Sequence, residues 1–414
     1  MGASGCFTRD CPICGSSFWS VVLPLTPTPL GDVLCASQVS ATEFPTYPLD
    51  LAQCSNCQHV FLPLAVEPDE SYSNYFFETS RSPGLSISMQ RMAHELWASR
   101  LVVASPFVVD VGSNDGTWLR HFLDQGADVL GVEPSKRIAE QASSAGIETI
   151  NEYFTRDAAQ QIRSERGAPA IVTANFVTAN VPNIREFFGA LRDLSGDETI
   201  VAVTTGYHPD QFRVNMFDFI YHEHLSYFTA QDFVHLAEEF GFSVVKVQRI
   251  GLKGGSLQVL LRPSQGAPEH HVDVLRLVQY ERWAGICERS WFHDLQARVS
   301  REVSRTHQIL DSVNARKTLG YGMSHSVTTL LYHFDLLERV SALVDDNESR
   351  QGLFSPGGGL PILNPEAALL EEFDTVVILA WQHDDLILKR LTELGWTGNV
   401  VQPLPGASLI RKGE

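Results

Sequence analysis

The sequence predicts an α/β protein in which a small cysteine-rich module precedes two Rossmann-like units. Three observations support this fold class: two C-x-x-C pairs near the amino terminus, a β-branched run at residues 107–111 that enters a glycine loop and a helical pattern, and a second such succession beginning at Thr318. With 414 residues, the chain is long enough for two or three domains. We place their limits at residues 1–70, 71–265 and 266–414.

Charge and hydropathy exclude several classes of protein. The chain has 31 basic and 49 acidic residues, a net charge of −18, and no block of lysine or arginine. We therefore expect neither nucleic acid nor an anionic membrane as a partner. The apolar runs are too short to span a bilayer, and we find no secretory signal pattern, so we expect a cytoplasmic protein.

The cysteines predict a metal site. Six of the seven precede residue 58, and in a reducing compartment such a cluster favours a metal over disulfides. Each C-x-x-C pair places two thiolates on one tight turn, and two such turns can supply the tetrahedral sulfur ligands that Zn²⁺ prefers. The four expected ligands are Cys11, Cys14, Cys54 and Cys57. Because the protein fills all four positions, we expect a structural zinc; the alternative is a set of buried free thiols.

The glycine loop at residues 112–116 predicts a nucleoside cofactor. It lies between a predicted strand and a predicted helix, where backbone amides contact a ligand, but it lacks the dinucleotide-binding motif G-x-G-x-x-G. Asn114 and Asp115 stand between its two glycines, and a carboxylate there would repel a pyrophosphate. It suits a ligand that carries a sulfonium, an ammonium and ribose hydroxyls, which describes S-adenosylmethionine (SAM).

Neighbouring residues complete the expected cofactor site. The next predicted strand, residues 128–132, ends at Glu133, which we expect to bind the ribose diol. Phe154 is expected to close over the adenine, although it could equally be a core aromatic residue. Asn175 ends the fourth predicted strand and should border the methyl group. The complete predicted set is Asp110, Gly112, Ser113, Asn114, Asp115, Gly116, Glu133, Phe154 and Asn175.

A histidine cluster follows the predicted cofactor domain, in the sequence F-D-F-I-Y-H-E-H-L-S-Y-F at residues 217–228. The spacing is not the helical H-E-x-x-H of zinc proteases. On a strand, His222 and His224 would share one face and Glu223 would point to the other. A single histidine is most often a core or surface residue, but these two are flanked by Tyr221 and Tyr227, so we take the cluster as a candidate active site.

Four motifs together resemble the SAM-dependent sugar C-methyltransferases of deoxysugar biosynthesis: the paired C-x-x-C turns, V-D-V-G-S-N-D-G-T, Y-H-E-H-L-S-Y-F and the later G-G-S-L. The resemblance extends from Cys11 to Trp381. It implies that a nucleotide-linked 4-keto sugar loses a proton from C3 and that the enolate takes the methyl group. The site residues that it implies are the base His224, the assisting residues Tyr221 and Glu223, the sugar-facing Tyr75 and the neighbouring His222.

The required chemistry agrees with these residue types. A proton next to a ketone is removed near neutral pH only if the carbonyl oxygen is stabilised as charge develops on it. Imidazole has a suitable pKa for the base, and a phenol or amide can donate to the oxygen.

The chain departs from the family pattern on the acceptor side. Lys253 stands where the family has a histidine before two glycines, and Phe77 replaces a tyrosine. The resemblance implies that the carboxy-terminal unit binds the nucleotide, yet its loop at residues 323–326 lacks the family's lysine, and residues 347–352 replace a lysine-rich motif. The alternatives are therefore a non-sugar α-acidic acceptor or a non-catalytic binding protein; the missing fingerprint disfavours an NAD-dependent oxidoreductase.

Overall fold

The computed structural model describes residues 6–31, 33–66, 79–81, 83–99, 106–368 and 373–410. The amino-terminal module consists of short strands and one short helix. In chain order they are β1 (Cys6–Thr8), β2 (Trp19–Leu23), α1 (Gln38–Thr42), β3 (Leu51–Cys54), β4 (Val60–Phe61) and β5 (Leu64–Val66). β1 pairs with β5, and β2, β3 and β4 form an antiparallel sheet.

The central part is built around a seven-stranded sheet. Its helices are α2 (Pro83–Ser99), α3 (Thr117–Leu123), α4 (Lys136–Ser144), α5 (Arg156–Arg166), α6 (Ile184–Leu194), α7 (His208–Arg213) and α8 (Ala230–Phe240). Its strands are β6 (Phe107–Val111), β7 (Asp128–Val132), β8 (Thr149–Ile150), β9 (Ile171–Asn175), β10 (Ile200–Gly206), β11 (Ser226–Tyr227), β12 (Phe242–Ile250) and β13 (Ser256–Pro263).

All of these strands except β11 belong to the sheet, in the order β12-β13-β10-β9-β6-β7-β8. The five strands from β10 to β8 are parallel, and β13 is antiparallel to both of its neighbours. Strands β6, β7 and β9 coincide with the sequence prediction. Their apolar, β-branched sequences suit a parallel sheet that helices cover on both faces. The strand order reverses between β6 and β9, which is where a ligand crevice is expected.

The carboxy-terminal part repeats this plan behind two helices. Its helices are α9 (Val272–Trp283), α10 (Arg289–Ser312), α11 (His325–His333), α12 (Pro365–Ala368) and α13 (Asp384–Glu393). Its strands are β14 (Thr318–Tyr321), β15 (Val340–Val344), β16 (Ile362–Leu363), β17 (Thr375–Ile378), β18 (Asn399–Gln402) and β19 (Ser408–Ile410). The sheet order is β16-β15-β14-β17-β18-β19, parallel except for β19. Its strand order reverses between β14 and β17.

The three parts share packing. β11 lies in the central part of the chain but pairs with β4, so it completes the amino-terminal sheet. One apolar cluster contains Val60, Phe217 and Leu319, which come from the three parts of the chain. The domain limits given above stay a prediction, and side chains on either side of them belong to common cores. Over the described ranges, no helix is long and apolar enough to cross a membrane.

The four predicted cysteine ligands converge. Cys11 Sγ lies 3.5 Å from Cys57 Sγ, Cys14 Sγ lies 3.6 Å from Cys54 Sγ, and all four sulfurs lie within 4.8 Å of one another. A tetrahedral Zn²⁺ with Zn–S bonds of about 2.3 Å requires sulfurs about 3.8 Å apart. The four thiols therefore fit a zinc ion and leave no coordination position for water or substrate.

Both cysteine turns have the same backbone form. Gly15 N–H donates to Cys11 O and Gln58 N–H donates to Cys54 O, at 2.8 and 3.1 Å, and both donors have a positive φ of 70° and 66°. Between the turns and α8, His59 Nδ1 lies 3.1 Å from Asp232 Oδ1, with both side chains buried. The metal site therefore stabilises a sheet that packs directly against the central part.

Replacing Cys54 by serine is expected to abolish stoichiometric zinc binding and to lower the free energy of unfolding by at least ~3 kcal/mol, because the binding energy of a structural zinc contributes to folding. Elemental analysis and thermal unfolding measure the two effects. Cys35→Ser is the matched control, since Cys35 lies outside the group of four thiols. A C54S protein that keeps one zinc per chain would contradict the assignment.

Candidate active site

A cavity of about 1590 Å³ lies between the carboxyl edges of the two large sheets. Its lining includes Gly112 after β6, Asn175 at the end of β9, Gly322 after β14 and Ala380 after β17. The crevices at both strand-order reversals therefore open into one space. Because a site for one small molecule usually occupies about 300–1,000 Å³, this cavity has room for two ligands.

The glycine loop forms one wall of the cavity. Gly112 has φ = 67°, and its N–H donates to Val132 O at 2.8 Å. A Cβ at this position would lie 2.3 Å from Val177 Cγ2, so a larger residue would displace the neighbouring turn. Ser113 N–H donates to Val132 O as well. This close approach leaves the loop backbone next to the cavity, as the sequence predicts.

Two buried carboxyl groups face the first crevice. Asp110 Oδ1 accepts from Thr173 Oγ1 at 2.6 Å, and the Glu133 carboxylate accepts from Asn114 N–H and Ser135 N–H at 3.0 and 2.8 Å. Burial raises the pKa of Asp110 to about 7, with a further contribution from Glu133, and burial also raises the pKa of Glu133. A cationic ligand would relieve the cost of these charges, and an anionic one would increase it.

The loop residues Asn114 and Asp115 connect to an earlier segment. Asn114, with φ = 51°, accepts from Thr79 N–H and Thr79 Oγ1 through its Oδ1. Asp115 accepts from Ser80 N–H at 2.8 Å and from Thr117 N–H at the start of α3. Asn114 lines the cavity, and Gly116 is the N-cap of α3. The Asp115 carboxylate therefore helps to position residues 79–81, and its assignment to the cofactor site stays a prediction.

The remaining predicted cofactor residues line the cavity. Phe154 packs edge-on against Phe187, with ring centroids 5.8 Å apart, and both rings face the space. Asn175 borders the cavity at the end of β9, next to Phe176, whose backbone has φ = 58°. Asn175 thus lies at the crevice, and its place beside the methyl group stays a prediction.

The hydrogen bonds of His224 define its tautomer. Its Nδ1 lies 2.9 Å from Phe219 O, which can only accept, so Nδ1 carries the proton and Nε2 has the free electron pair. Tyr221 Oη lies 2.7 Å from Nε2 and donates to it. The ring lines the cavity and is partly exposed there. Burial, and to a lesser extent the charges of Lys253 and His325, lower the pKa of His224 to about 3, so the imidazole is neutral at pH 7.

His222 lies apart from this group. Residues 220–225 form a turn rather than a strand, so the expectation that His222 and His224 share a face is wrong. His222 is buried, with Nε2 3.3 Å from Tyr47 O and its ring edge-on to Tyr47. Burial lowers its pKa to about 4. Glu223 lines the cavity with Tyr221 and His224. Tyr75 lies outside the described residues.

Hydrogen bonds from all three parts of the chain position the turn. Thr329 Oγ1 donates to Ile220 O at 2.8 Å, and Trp381 Nε1 donates to Asp218 Oδ2 at 3.1 Å. On the other side, Leu225 N–H donates to Ala179 O, while Leu225 O accepts from Leu62 N–H and from the buried Arg9 Nη1. Sequence reasoning missed Arg9 and Asp218, for which a single sequence holds no signal beyond their types.

The second crevice has its own acidic pair. Asp345 and Asp346 follow β15 and line the cavity. Asp345 accepts from Met323 N–H at 2.8 Å and pairs with Arg350 at 3.2 Å, and Asp346 accepts from Tyr321 Oη at 2.7 Å. These acids follow β15 as Glu133 follows β7. The reasoning that identified Glu133, an acidic residue at the end of a predicted strand, could therefore have found them.

Comparisons with known protein families cover most of the chain. Residues 11–72 match the family described as a putative zinc binding domain, residues 89–247 match a methyltransferase domain, and residues 251–405 match a C-methyltransferase C-terminal domain. Among curated proteins, the C-methyltransferase NovU of Streptomyces niveus is 28% identical over 408 residues, which is 97% of this chain and 96% of that protein.

Solved structures are similar at low identity. A magnesium protoporphyrin IX methyltransferase of Synechocystis PCC 6803 with bound SAM has a TM-score of 0.34 and 14% identity, covering 44% of this chain and 81% of its own. The YcgJ protein of Bacillus subtilis has a TM-score of 0.35 and 11% identity, covering 44% and 99%. At these TM-scores the fold assignment depends on the strand order and the matched families.

The matched families follow one another along the chain in the order zinc binding, methyltransferase, and C-methyltransferase C-terminal domain. The glycine loop and acidic crevice fall within the second match, and the converging thiols fall within the first. The protein is therefore a SAM-dependent C-methyltransferase with a structural zinc site, and over nearly its whole length it is similar to the C-methyltransferase NovU.

Proposed function

We propose that this C-methyltransferase removes a proton from carbon next to a ketone and methylates that carbon, and that the acceptor is a nucleotide-linked 4-keto deoxysugar attacked at C3. The observation that carries the proposal is the position of His224. A neutral imidazole with a defined free electron pair on Nε2 faces a cavity between two nucleoside-type crevices. Other groups in the cavity then have roles that follow from their contacts.

His224 Nε2 takes the proton from the α carbon, and the carbon–hydrogen electron pair moves into the carbonyl to give an enolate. Its low pKa makes the free imidazole a weak base. The enolate charge that forms next to the ring favours the imidazolium, so His224 becomes more basic as the proton moves. Phe219 O keeps the Nδ1 proton in place throughout the step, which fixes the tautomer that the reaction needs.

Tyr221 is proposed to position the base. Its hydroxyl donates to His224 Nε2 at 2.7 Å, and the acceptor must displace this hydrogen bond before Nε2 can take the proton from the α carbon. The displaced hydroxyl would remain within the cavity as a hydrogen-bond donor. Glu223, on the same turn, lines the cavity and is proposed to bind a hydroxyl of the acceptor.

SAM would supply the methyl group, which is electrophilic because it is bound to a positively charged sulfonium sulfur. The cofactor crevice is suited to such a ligand because Asp110 and Glu133 are acidic and the glycine loop approaches closely. Glu133 would bind the ribose diol and Phe154 the adenine, which leaves the methionine end near Asn175. The electron pair of the broken bond between sulfur and the methyl carbon would remain on sulfur, and the acceptor carbonyl would form again.

The second crevice is proposed to bind the nucleotide of the acceptor. Asp345 and Asp346 stand where ribose hydroxyls can be bound, and the amino terminus of α11 follows the Gly322 loop and can face phosphate. Arg350 already pairs with Asp345, and the loop at residues 323–326 has no lysine. This modest positive charge favours, as a second candidate, a less anionic α-acidic acceptor in the same cavity.

Glu133→Gln is expected to weaken binding of S-adenosylhomocysteine, the demethylated cofactor, by about 10- to 100-fold, because the charged hydrogen bonds to the ribose are lost. Titration calorimetry measures the affinity. Glu148→Gln is the control, since Glu148 is an exposed residue paired with Arg166. Equal affinity of the E133Q and parent proteins would show that Glu133 does not contact the cofactor.

His224→Asn is expected to slow both solvent-deuterium entry at the acceptor carbon and methyl transfer by about 10²- to 10⁴-fold, the usual contribution of a general base. A panel of nucleotide-linked 4-keto sugars and simple non-sugar ketones, incubated in deuterated water with S-adenosylhomocysteine, measures exchange by mass spectrometry. His293→Asn, a change on an exposed face of α10, is the control. If H224N exchanges as fast as the parent, His224 is not the base.

The pH dependence of exchange gives a second test of the same residue. Because the pKa of His224 is lowered to about 3, the free imidazole stays unprotonated as the pH falls through 6.5, the ordinary histidine value. With S-adenosylhomocysteine kept saturating, so that titration of Asp110 does not change its occupancy, the parent exchange rate should therefore show no acid limb between pH 7 and about 5. A titration centred near 6.5 that is absent from H224N would contradict the buried environment described for this ring.

A further inference from the structure

Lys253 occupies an unusual turn beside the base. It is the middle residue of the helical turn Leu252–Gly254, between β12 and β13, and its backbone has the left-handed conformation φ = 49°, ψ = 44°. Its side chain lines the main cavity, and together with Phe176, Phe219 and His224 it also lines a small side pocket. Lys253 therefore lies between the cofactor crevice at β9 and the base.

The turn is fixed by its surroundings. Gln211 Nε2 donates to Lys253 O at 3.1 Å, and Gly255 N–H donates to Leu252 O at 3.0 Å. Gly254 has φ = 73°, and a Cβ there would lie 2.3 Å from Met216 Sδ. The position of Lys253 thus depends on packing against α7 and the residues that follow it, and not on the local preference of the lysine.

Lys253 contacts a second residue with the same uncommon backbone. Its Nζ lies 4.1 Å from the ring centroid of Phe176, whose φ is 58°. Left-handed backbone is uncommon for residues other than glycine, it persists only where the surrounding structure maintains it, and it is found preferentially at functional sites. A cation over an aromatic face is also a stabilising arrangement for an ammonium. The backbone of both residues and the contact between them therefore keep the ammonium at the wall of the cavity.

The charge of Lys253 is distinctive in its location. Among the described residues that line the cavity, one is a lysine, Lys253, and one is an arginine, Arg350. Arg350 pairs with Asp345 in the second crevice. Lys253 is on the side of the base, where its charge contributes to the lowered pKa of His224. Burial lowers the pKa of Lys253 itself to about 8, which leaves the group mostly protonated at pH 7.

We propose that the Lys253 ammonium is a catalytic group that binds the carbonyl oxygen of the acceptor and stabilises the negative charge that forms there. This inference rests on the proposed function, in which His224 removes the neighbouring proton. As the proton moves to Nε2, the carbonyl π electrons move to oxygen, and the ammonium donates a hydrogen bond to that oxygen without giving up its proton. When carbon takes the methyl group, the electrons return, the carbonyl is restored, and Lys253 is unchanged.

The experiment measures solvent-deuterium exchange with the panel member that the parent protein exchanges, in the presence of S-adenosylhomocysteine. Lys253→Met removes the charge at similar length, and Lys253→Arg retains a charge but cannot form an imine with the ketone. Lys246→Met, an exposed change on β12, is the matched control. Affinity for S-adenosylhomocysteine is measured for each variant by calorimetry.

We expect K253M to slow exchange by about 100-fold, the scale on which removing one oxyanion donor acts, with cofactor affinity within threefold of the parent. K253R should retain at least a tenth of the parent rate, and K246M should retain all of it. Exchange by K253M at the parent rate would overturn the inference. A K253M defect confined to cofactor affinity would also overturn it, because Lys253 would then bind the cofactor carboxylate.

Two further outcomes have defined meanings. Equal losses of exchange rate in K253M and K253R would overturn the inference, because the shape of the side chain and not its charge would then matter. Borohydride trapping of the acceptor on Lys253 would also overturn it, because Lys253 would then form an imine with the ketone. Failure of the proposed function is distinguishable from both, because in that case the parent exchanges no panel member or H224N exchanges as fast as the parent.

Discussion

The site depends on one constraint: the turn that carries His224 is positioned by all three parts of the chain. Ile220 O accepts from Thr329, Asp218 accepts from Trp381, and Leu225 is hydrogen-bonded to Leu62, Arg9 and Ala179. A turn of this kind has little regular structure of its own. Its geometry therefore depends on contacts with the zinc module, the central sheet and the carboxy-terminal unit, and β11, which follows the turn, pairs with β4 of the zinc module.

Acidic and basic side chains line different regions of the cavity. Acidic groups face the two nucleoside-type crevices, at Glu133 and at Asp345 and Asp346. The middle of the cavity contains a neutral imidazole and an ammonium, at His224 and Lys253. A positive ligand therefore suits the cofactor side, and negative charge that develops on an acceptor suits the middle. This separation follows the charge flow of a methyl transfer from a sulfonium to an enolate.

The parts of the fold that local sequence patterns determine could be predicted. Strands β6, β7 and β9 are apolar, β-branched runs that end at a glycine or a polar residue, and the four zinc ligands occupy two short, self-contained turns. Glu133 and Asn175 follow from their positions at strand ends, because the carboxyl edge of a parallel sheet is where a ligand binds. Each of these depends on residues close together in the chain.

Contacts between distant residues could not be predicted in the same way. Alternation along a strand would place His222 and His224 on one face, but they lie in a turn, where His222 Nε2 donates to Tyr47 O and His224 Nδ1 donates to Phe219 O. Asp115 has the residue type of a cavity wall, yet Ser80 N–H, 35 residues away, binds its carboxylate. In the sequence, Lys253 is only a replacement of the family's histidine. Its left-handed backbone and its contact with Phe176, which the structure shows, define where the ammonium lies.

The most direct measurement is a crystal structure of the protein with S-adenosylhomocysteine and an acceptor that it exchanges. The account predicts that His224 Nε2 lies within about 3.5 Å of the acidic carbon, with Tyr221 displaced from the ring and the cofactor sulfur facing the other side of that carbon. An acceptor carbon bound more than one water molecule away from Nε2, with the Tyr221–His224 contact intact, would contradict it.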